Sequence, residues 1–509
     1  MKSTSPKIVS YTCAGYDFFS RKWKRCRDVY DGADRIKQQS EVYLPKSRWH
    51  RNAGKEGEQD YNDYKERAVF YSYMRDAVET VLGVLKKGEP TIKLPKKIAF
   101  MEQSATIYHD GLTALKAKLD KLILITGCAG LQLEVNSNSG SKSNSPDFYI
   151  NIWQPESIKD KVFEIDSKTG ESFARMVLLD ETDYVFDKET KSRQRVEKWR
   201  VLGLDEKDEY YSVLMKPDDY PTFDLDNPPT AADPNNPDMG EAVYPEWRGR
   251  RMTRIPFTFV NATDLSGGHY DDPPLYDLVD LVLALYRGDA DYRQTLHFTA
   301  GDFYKHTGCD PKKQKEKLAI GAGSVIHLGD GEDLAVVSST GGGANLQKES
   351  LDYLHSLCQQ RIMTMLDVGA NQSGAALEIV QNSKSARIEP INQNTGNAIA
   401  EQLRYAAEWT GTARENTYDE VTFAPAKIED TTLAVQQLLA LWDSMLTKGY
   451  PLTKEDFHAL QRKANMTQKD FEQNEKQLEI ERAQSEEELK RYGPRTPNQN
   501  QNPNEPPAE

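Results

Sequence analysis

The chain has 509 residues, beyond the size at which a single hydrophobic core stops growing, so two or more structural regions are expected. Hydrophobic residues make up 38%, charged residues 28%, and the mean hydropathy is −0.72, a profile of large surface relative to core. A formal charge of −14 argues against ordinary nucleic-acid binding, which draws on clustered Lys and Arg, but it suits a wall past which a polyanion slides without sticking.

Residues 1–11 lack the apolar run of a secretion signal, and the densest apolar window, 275–285, is interrupted by Tyr276, Asp277 and Asp280, so no membrane span is expected. Cys13, Cys26, Cys128, Cys309 and Cys358 are far apart and make no CxxC pair, which reads as reduced thiols. The histidines show no HExxH or HxH spacing, so neither a metal centre nor a cofactor is expected.

In chain order, residues 1–60 read as a polar N-terminal arm: the run Arg21, Lys22, Lys24, Arg25, Arg27 is followed at once by Asp28, Asp31 and Asp34, the pattern of a solvated segment. Residues 61–86 carry Tyr64, Val69, Tyr71, Met74, Val78, Val81 and Val84 near helical spacing and predict one amphipathic helix, ended by Gly88 and Pro90. A second helix is predicted over 104–122, broken by Gly127 and Gly130 into a strand at 131–135. From 147 to 259 the pattern becomes short strands, at 148–153, 162–165, 173–179, 196–202 and 210–215. The Pro-, Asp- and Asn-rich stretch 217–240 reads as an exposed loop without the spacing of a calcium-binding EF-hand.

Pro273 and Pro274 start a long helical segment, apolar nearly all round through Leu285 and polar afterwards, whose 24 or so residues reach roughly 36 Å. A helix with that profile suits a wall packed by neighbours on several sides. The segment 301–340 departs as a small excursion: a Lys-rich helical turn, a strand at 324–328, a turn at Gly329–Gly331 and a strand at 334–337. It returns through Gly341, Gly342 and Gly343 into a helix over 346–366. A short Gly-containing loop, DVGANQSGAAL (367–377), precedes a helix over 383–409 that Pro390 and Gly396 should kink. A capped helical region follows from Asp430, and 493–509 is Pro-, Asn- and Gln-rich, a disordered composition.

This order of segments resembles the portal proteins of tailed bacteriophages, the head-to-tail connectors. IPFTFVNATDLS (255–266) looks like the strand and loop leading into the first stem helix, and PPLYDLVDLVLALYRGDADYRQTLHF looks like that helix. IGAGSVIHLGDGEDLAVVSS (320–339) looks like the clip strands, LDYLHSLCQQRIMTML like the second stem helix, and ANQSGAALEI (370–379) like the tunnel loop and the start of the helix after it. The resemblance covers about residues 61–490 and lies in order and spacing rather than in any one motif.

It implies an α+β portal fold, with an N-terminal arm at 1–60 and a wing that is helical and then β-rich at 61–272. Stem helix 1 would be 273–298, an α/β clip 299–342, stem helix 2 343–366 and a tunnel loop 367–378. A long wing helix would fill 379–426, a helical crown 427–492 and a disordered tail 493–509. As a function it implies a non-enzymatic structural subunit of the virion: a ring of about twelve copies at one capsid vertex through which double-stranded DNA passes without sequence specificity. The major capsid protein, the terminase large subunit and then a tail adaptor protein would be its partners, with no membrane involved.

On this resemblance Gly369, Asn371, Gln372, Ser373 and Gly374 project toward DNA, since small neutral residues form no lasting ion pairs with phosphates. Leu278, Leu281, Leu285, Tyr353 and Leu357 form the stem wall, and the apolar first half of stem helix 1 supplies burial between neighbours that offsets like-charge repulsion. Lys312, Lys313, Lys315 and Lys317 either dock an acidic motor or adaptor or form a solvated helix face.

Catalytic motifs are missing from the sequence. There is no GxxxxGK[ST], Gly54-Lys55 being followed by Glu56, and no GxSxG elbow. Two other readings stay open: another ring-forming tail or adaptor protein, and a metal-dependent nucleic-acid enzyme using Asp271 with Asp272 or Asp289 with Asp291. Against the latter, Asp289 and Asp291 fall on different faces of a helix.

Overall fold

The computed structural model describes residues 12–135, 148–165, 170, 172–187, 191–231, 239–299, 303–307, 331, 333–337, 342–411, 421–426 and 458, with backbone alone at 187, 303, 304, 306, 334, 336, 337, 342, 365, 366 and 374–387. The chain begins with helices: α1 (Tyr16–Asp31), α2 (Ala33–Gln39), α3 (Arg48–Asn52), α4 (Gly54–Arg67) and α5 (Tyr73–Leu85), then the short strand β1 (Thr91–Lys93) and α6 (Leu112–Thr126). The expected solvated arm is therefore corrected, because Trp23, Cys26 and Val29 of α1 are fully buried and burial pushes the Cys26 thiol up to about 12. Its cations meet carboxylates far along the chain, Lys22 with Asp272, Arg25 with Asp280 at 2.5 Å and Arg27 with Glu156 at 2.5 Å.

The single helix expected over 61–86 is two. Ala68 steps into extended backbone (φ −64°, ψ 134°), and the next amide, Val69, donates to the Asp289 carboxylate at 2.7 Å instead of continuing a helical ladder. α6 begins later than 104, at Leu112, and turns Leu112, Leu115, Leu119 and Ile123 into the core. It ends at Gly127 (φ +80°). A Cβ there would lie 2.8 Å from the Asp271 carbonyl oxygen, so glycine both caps the helix and lets the 271–272 backbone pass.

The β-rich region holds β2 (Cys128–Val135), β3 (Phe148–Trp153), β4 (Ile158–Ile165), β5 (Ser172–Asp180), β6 (Asp183–Asp187), β7 (Ser192–Val196), β8 (Trp199–Leu204), β9 (Tyr210–Met215), β10 (Ala242–Val243), β11 (Glu246–Trp247), β12 (Arg250–Arg251) and β13 (Phe257–Asn261). They form a three-stranded sheet, β13-β2-β3, a five-stranded sheet, β10-β9-β8-β5-β4, and the ribbons β6-β7 and β11-β12. Each of these pairings is antiparallel, so the mixture of helices and sheets is α+β.

Strand alternation sends Val177, Leu179, Leu202 and Leu204 into the main core and Met176, Leu178, Val201 and Val213 into a second, smaller one. The stretch 217–240, expected as an exposed loop, contributes to the second core. Tyr220 lies edge-on to Trp199 at 5.7 Å and Phe223 packs on Tyr211, while Asp218, Asp219, Asp224 and Asp226 stay exposed.

The chain then runs through α7 (Tyr276–Thr299), β14 (Phe303–Thr307), β15 (Asp333–Val337), α8 (Gly342–Leu366), α9 (Gly374–Trp409) and β16 (Thr422–Ala424), which pairs with β1. α9 is one helix of 36 residues continuing through Pro390 and Gly396, longer than the expected 383–409. Its buried polar groups fix it to α6 and β13: Thr395 donates to Asp120 at 2.6 Å and Gln402 to Thr258 at 2.7 Å. Burial holds the Asp120 carboxyl above its usual range, although Lys116 sits 2.7 Å away.

Residues to Ile428 form one compact unit, and Glu429–Glu509 form a second, in which the buried His458 is the described residue. The expected crown at 427–492 and tail at 493–509 otherwise lie outside the described residues.

Candidate functional site: the paired helices and their anchors

α7 and α8 fold back on one another, and three independent pairings mark the register. Asp277 meets Arg361 at 3.7 Å, a Cβ on Gly288 would lie 3.1 Å from the Leu351 Cδ2, and Phe303 is opposite Val337 in the β14-β15 ribbon. Within each pair the two residues are equally distant from residue 320, to within about two positions. The helices, of roughly 36 Å each, are therefore antiparallel, and the same register continues in the ribbon, whose strands of five residues are roughly 17 Å long. The expected strand at 334–337 is found as β15. Its described partner, 303–307, was not expected, and the strand proposed at 324–328 lies outside the described residues.

Apolar burial places α7. Leu278, Val279, Val282, Leu283, Leu285, Tyr286 and Ala290 are all at most 2% exposed, and each large aliphatic among them contributes about 1.5–3 kcal/mol. That outweighs the half-exposed ion pair Arg25–Asp280 on the same helix, of a kind worth about 0–1 kcal/mol. The partners of this stripe lie within the chain itself, with Phe70, between α4 and α5, edge-on to Tyr286 at 5.8 Å and burial pushing the Tyr286 hydroxyl up to about 12.

Polar anchors hold the second half. Asp289, 3% exposed, accepts from the Val69 amide and from Arg293 Nε, each at 2.7 Å. This bond to Asp289 raises the Arg293 guanidinium above its ordinary value. Tyr64 donates to Asp291 at 2.6 Å, Arg67 to Gln294 at 2.5 Å, and Arg287 to the Tyr43 carbonyl at 2.9 Å. Burial, with Asp291 beside it, pushes the Tyr64 hydroxyl well up.

α8 buries one stripe. Leu351 and Cys358 are buried, Leu354 and Ile362 pack against the same core, and His355 Nδ1 lies 2.8 Å from the Tyr73 hydroxyl with Tyr71 edge-on at 4.6 Å. Burial pushes the Cys358 thiol up to about 11, which makes it a poor nucleophile at neutral pH. The interval between α4 and α5 is thus tied to α7 through Asp289 and to α8 through His355.

Of the residues expected in the stem wall, Leu278 and Leu285 are buried within the chain itself; Leu281 and Leu357 are half-buried, and Tyr353 is 64% exposed. The apolar side chains that remain outward on the pair are Leu296, Phe298, Leu346 and Tyr353, with Met363 near the opposite end of α8. Gly369, Asn371, Gln372 and Ser373 lie outside the described residues, as do Lys312, Lys313, Lys315 and Lys317; Gly374 begins α9.

The carboxylates considered as metal-binding pairs each have structural partners. Asp271 accepts from the Thr263 amide and hydroxyl, Asp272 pairs with Lys22, and Asp289 and Asp291 hold the groups named above. Reading the sequence missed Asp289, Tyr64, Arg67, Tyr73 and His355 as anchors. Apart from the local bond of Arg293 to Asp289, their partners lie more than 200 residues away and leave no signal in the sequence.

This is a mixed α+β chain built around a helix pair with an insert. A family model described as Domain of unknown function (DUF4055) matches residues 274–410, the stretch from the start of α7 to the end of α9. Among solved structures the chain is similar to one titled the neck of a native GTA particle computed with C12 symmetry, at 12% identity and a TM-score of 0.36, over 76% of this chain and 89% of that one. The same figures hold for the virion of a native gene transfer agent (GTA) particle. The neck of an empty GTA particle computed with C6 symmetry is matched at 11% identity and a TM-score of 0.36, over 77% and 89%. No curated protein matches the chain.

Proposed function

We propose that this chain is a portal-type connector subunit, a non-enzymatic virion protein. About twelve copies would ring one capsid vertex, pass double-stranded DNA, and dock first the terminase large subunit and then a tail adaptor, within the shell of the major capsid protein. The observation that carries the reading is the fold-back of α7 and α8 about residue 320, with a ribbon at its end. A helical hairpin of that length can line a pore when repeated around an axis, and its insert then forms a knob at the mouth.

The outward face of α8 supports a wall that does not hold DNA. Its exposed residues include Lys348, Glu349, Asp352, Gln359, Gln360 and Arg361, mixed in sign and without a basic stripe. In this reading 369–374 reaches toward the DNA, and Lys312, Lys313, Lys315 and Lys317 meet the motor or adaptor.

Native mass spectrometry and electron-microscopic class averages of the purified full-length chain test the proposal. Closed rings of about twelve copies are expected, favoured by salt that screens the −14 charge of each subunit. A monomer at every ionic strength overturns it.

A further inference from the structure

The five-stranded sheet carries an arm. β5 and β8 stay in register past Asp180↔Trp199, through the bond from the Glu181 amide to the Lys198 carbonyl at 2.8 Å, and continue as β6 and β7 from Asp183↔Val196 to Asp187↔Ser192. Five residues per strand carry the ribbon roughly 17 Å beyond the sheet. Every side chain from Asp183 to Phe186 and from Lys191 to Arg195 is exposed.

That exposure is unusual in its chemistry. Tyr184, Val185 and Phe186 are 60%, 44% and 56% exposed. Tyr184 stands opposite Arg195 and Phe186 opposite Arg193, so one face presents two aromatic rings and two guanidiniums, that of Arg195 lying 3.2 Å from the exposed Glu197 carboxylate. An isolated two-stranded ribbon is marginally stable in water, and aromatic residues with arginine are what protein interfaces concentrate.

We propose that this ribbon docks on a second copy of the same chain, laying its Tyr184, Phe186, Arg193 and Arg195 face on that copy's acidic segment 218–226. Charge selects this occupant. The chain is acidic, at −14, and the segment offers exposed Asp218, Asp219, Asp224 and Leu225, with Asp226 already 3.6 Å from its own Arg175. Guanidiniums bind carboxylates through paired, charge-assisted hydrogen bonds.

Geometry makes the contact intermolecular. Tyr220 seats the segment on Trp199, at the foot of the ribbon, so a ribbon's tip points away from its own segment. Two different patches of one surface then meet head to tail, the kind of contact that closes into a ring. Two aromatic side chains, worth about 150–250 Å² each when wholly exposed and here 60% and 56% exposed, supply about a quarter to a third of the roughly 800 Å² that a standard interface takes from each partner. The proposal rests on the ring reading and names one contact within it.

Full-length Phe186→Cys and Leu225→Cys chains, mixed and treated with a short bismaleimide, test it against the wild-type chain as a control for native thiols. A covalent dimer is expected in the mixture and not in either variant alone. Arg193→Glu with Arg195→Glu should reduce the assembled fraction at least tenfold at low salt, and Asp218→Lys, Asp219→Lys and Asp224→Lys should restore it. Rings that form normally in the charge-reversed chain, with no cross-link in the mixture, overturn the ribbon contact and leave the ring reading intact. A wild-type chain that is always monomeric overturns both.

Discussion

Asp289 offers a direct test of how the helix pair is anchored. Its carboxylate is 3% exposed and accepts from the Val69 amide and Arg293 Nε at 2.7 Å each, with the Tyr71 hydroxyl more distant at 3.5 Å. Hydrogen bonds to a charged group are worth about 1.5–3 kcal/mol. Arg293, whose side chain is 38% exposed, recovers much of its share from water, whereas the Val69 amide has left the helical ladder to reach Asp289. Asp289→Ala should therefore cost about 2–4 kcal/mol, and Asp289→Asn, which keeps an acceptor but not the charge, roughly half of that.

Thermal unfolding of the full chain would report the loss as a shift of a few degrees. Hydrogen exchange would place it at residues 68–73, with α6 still protected. A carboxylate kept in place for a metal ion would behave in the opposite way, since removing a buried acid that lacks partners relieves strain. An alanine variant that melts with the wild type and keeps its protection at 68–73 would refute the anchor.

Two further outcomes follow from local geometry. Gly396→Ala gains about 1 kcal/mol of helix propensity, but its Cβ would come within 2.5 Å of Pro425 Cδ, a rigid ring, so a net lowering of the melting temperature is expected; a rise would mean that β16 moves aside freely. Asp264 leads into α7: burial would raise its carboxyl, but bonds from Asn261 and from the Ser266 amide and hydroxyl, with His269 nearby, hold it below the usual aspartate range. Such a group adds stability above its unfolded value and loses it as pH falls through its folded one. Asp264→Asn should therefore lower the melting temperature at pH 7, with the difference from wild type closing below about pH 3.8; a gap constant across that range would exclude the carboxylate as its source.

Periodicity disclosed the elements whose stabilising contacts repeat along their own sequence. The stripe from Leu278 to Ala290 and the alternation at the start of 148–153 needed no partner to be visible. Elements placed by distant partners were misread. The cations of α1 look solvated until Asp272, Asp280 and Glu156 come to meet them, and the helix over 61–86 looks continuous until Asp289 takes the Val69 amide.

The ribbon β6-β7 went unseen for a related reason. Its side chains from 183 to 186 and from 191 to 195 are all exposed, so they carry no in-and-out alternation, and β7 and β8 merged into one expected strand at 196–202. Among the expected wall positions, hydrophobicity identified Leu278 and Leu285 as buried. It could not say whether their neighbours belong to this chain or to another copy, and the packing against α5 and its flanks decides for this chain.

The fold-back about residue 320 also bears on how such a chain can diversify. Because Thr307 and Asp333 are already paired across the ribbon, the polypeptide between them is closed off as an independent graft. It can be exchanged for a longer or shorter one without altering the spacing at Gly288 and Leu351. The length of the stretch 308–332 is in this way uncoupled from the dimensions of the helix pair.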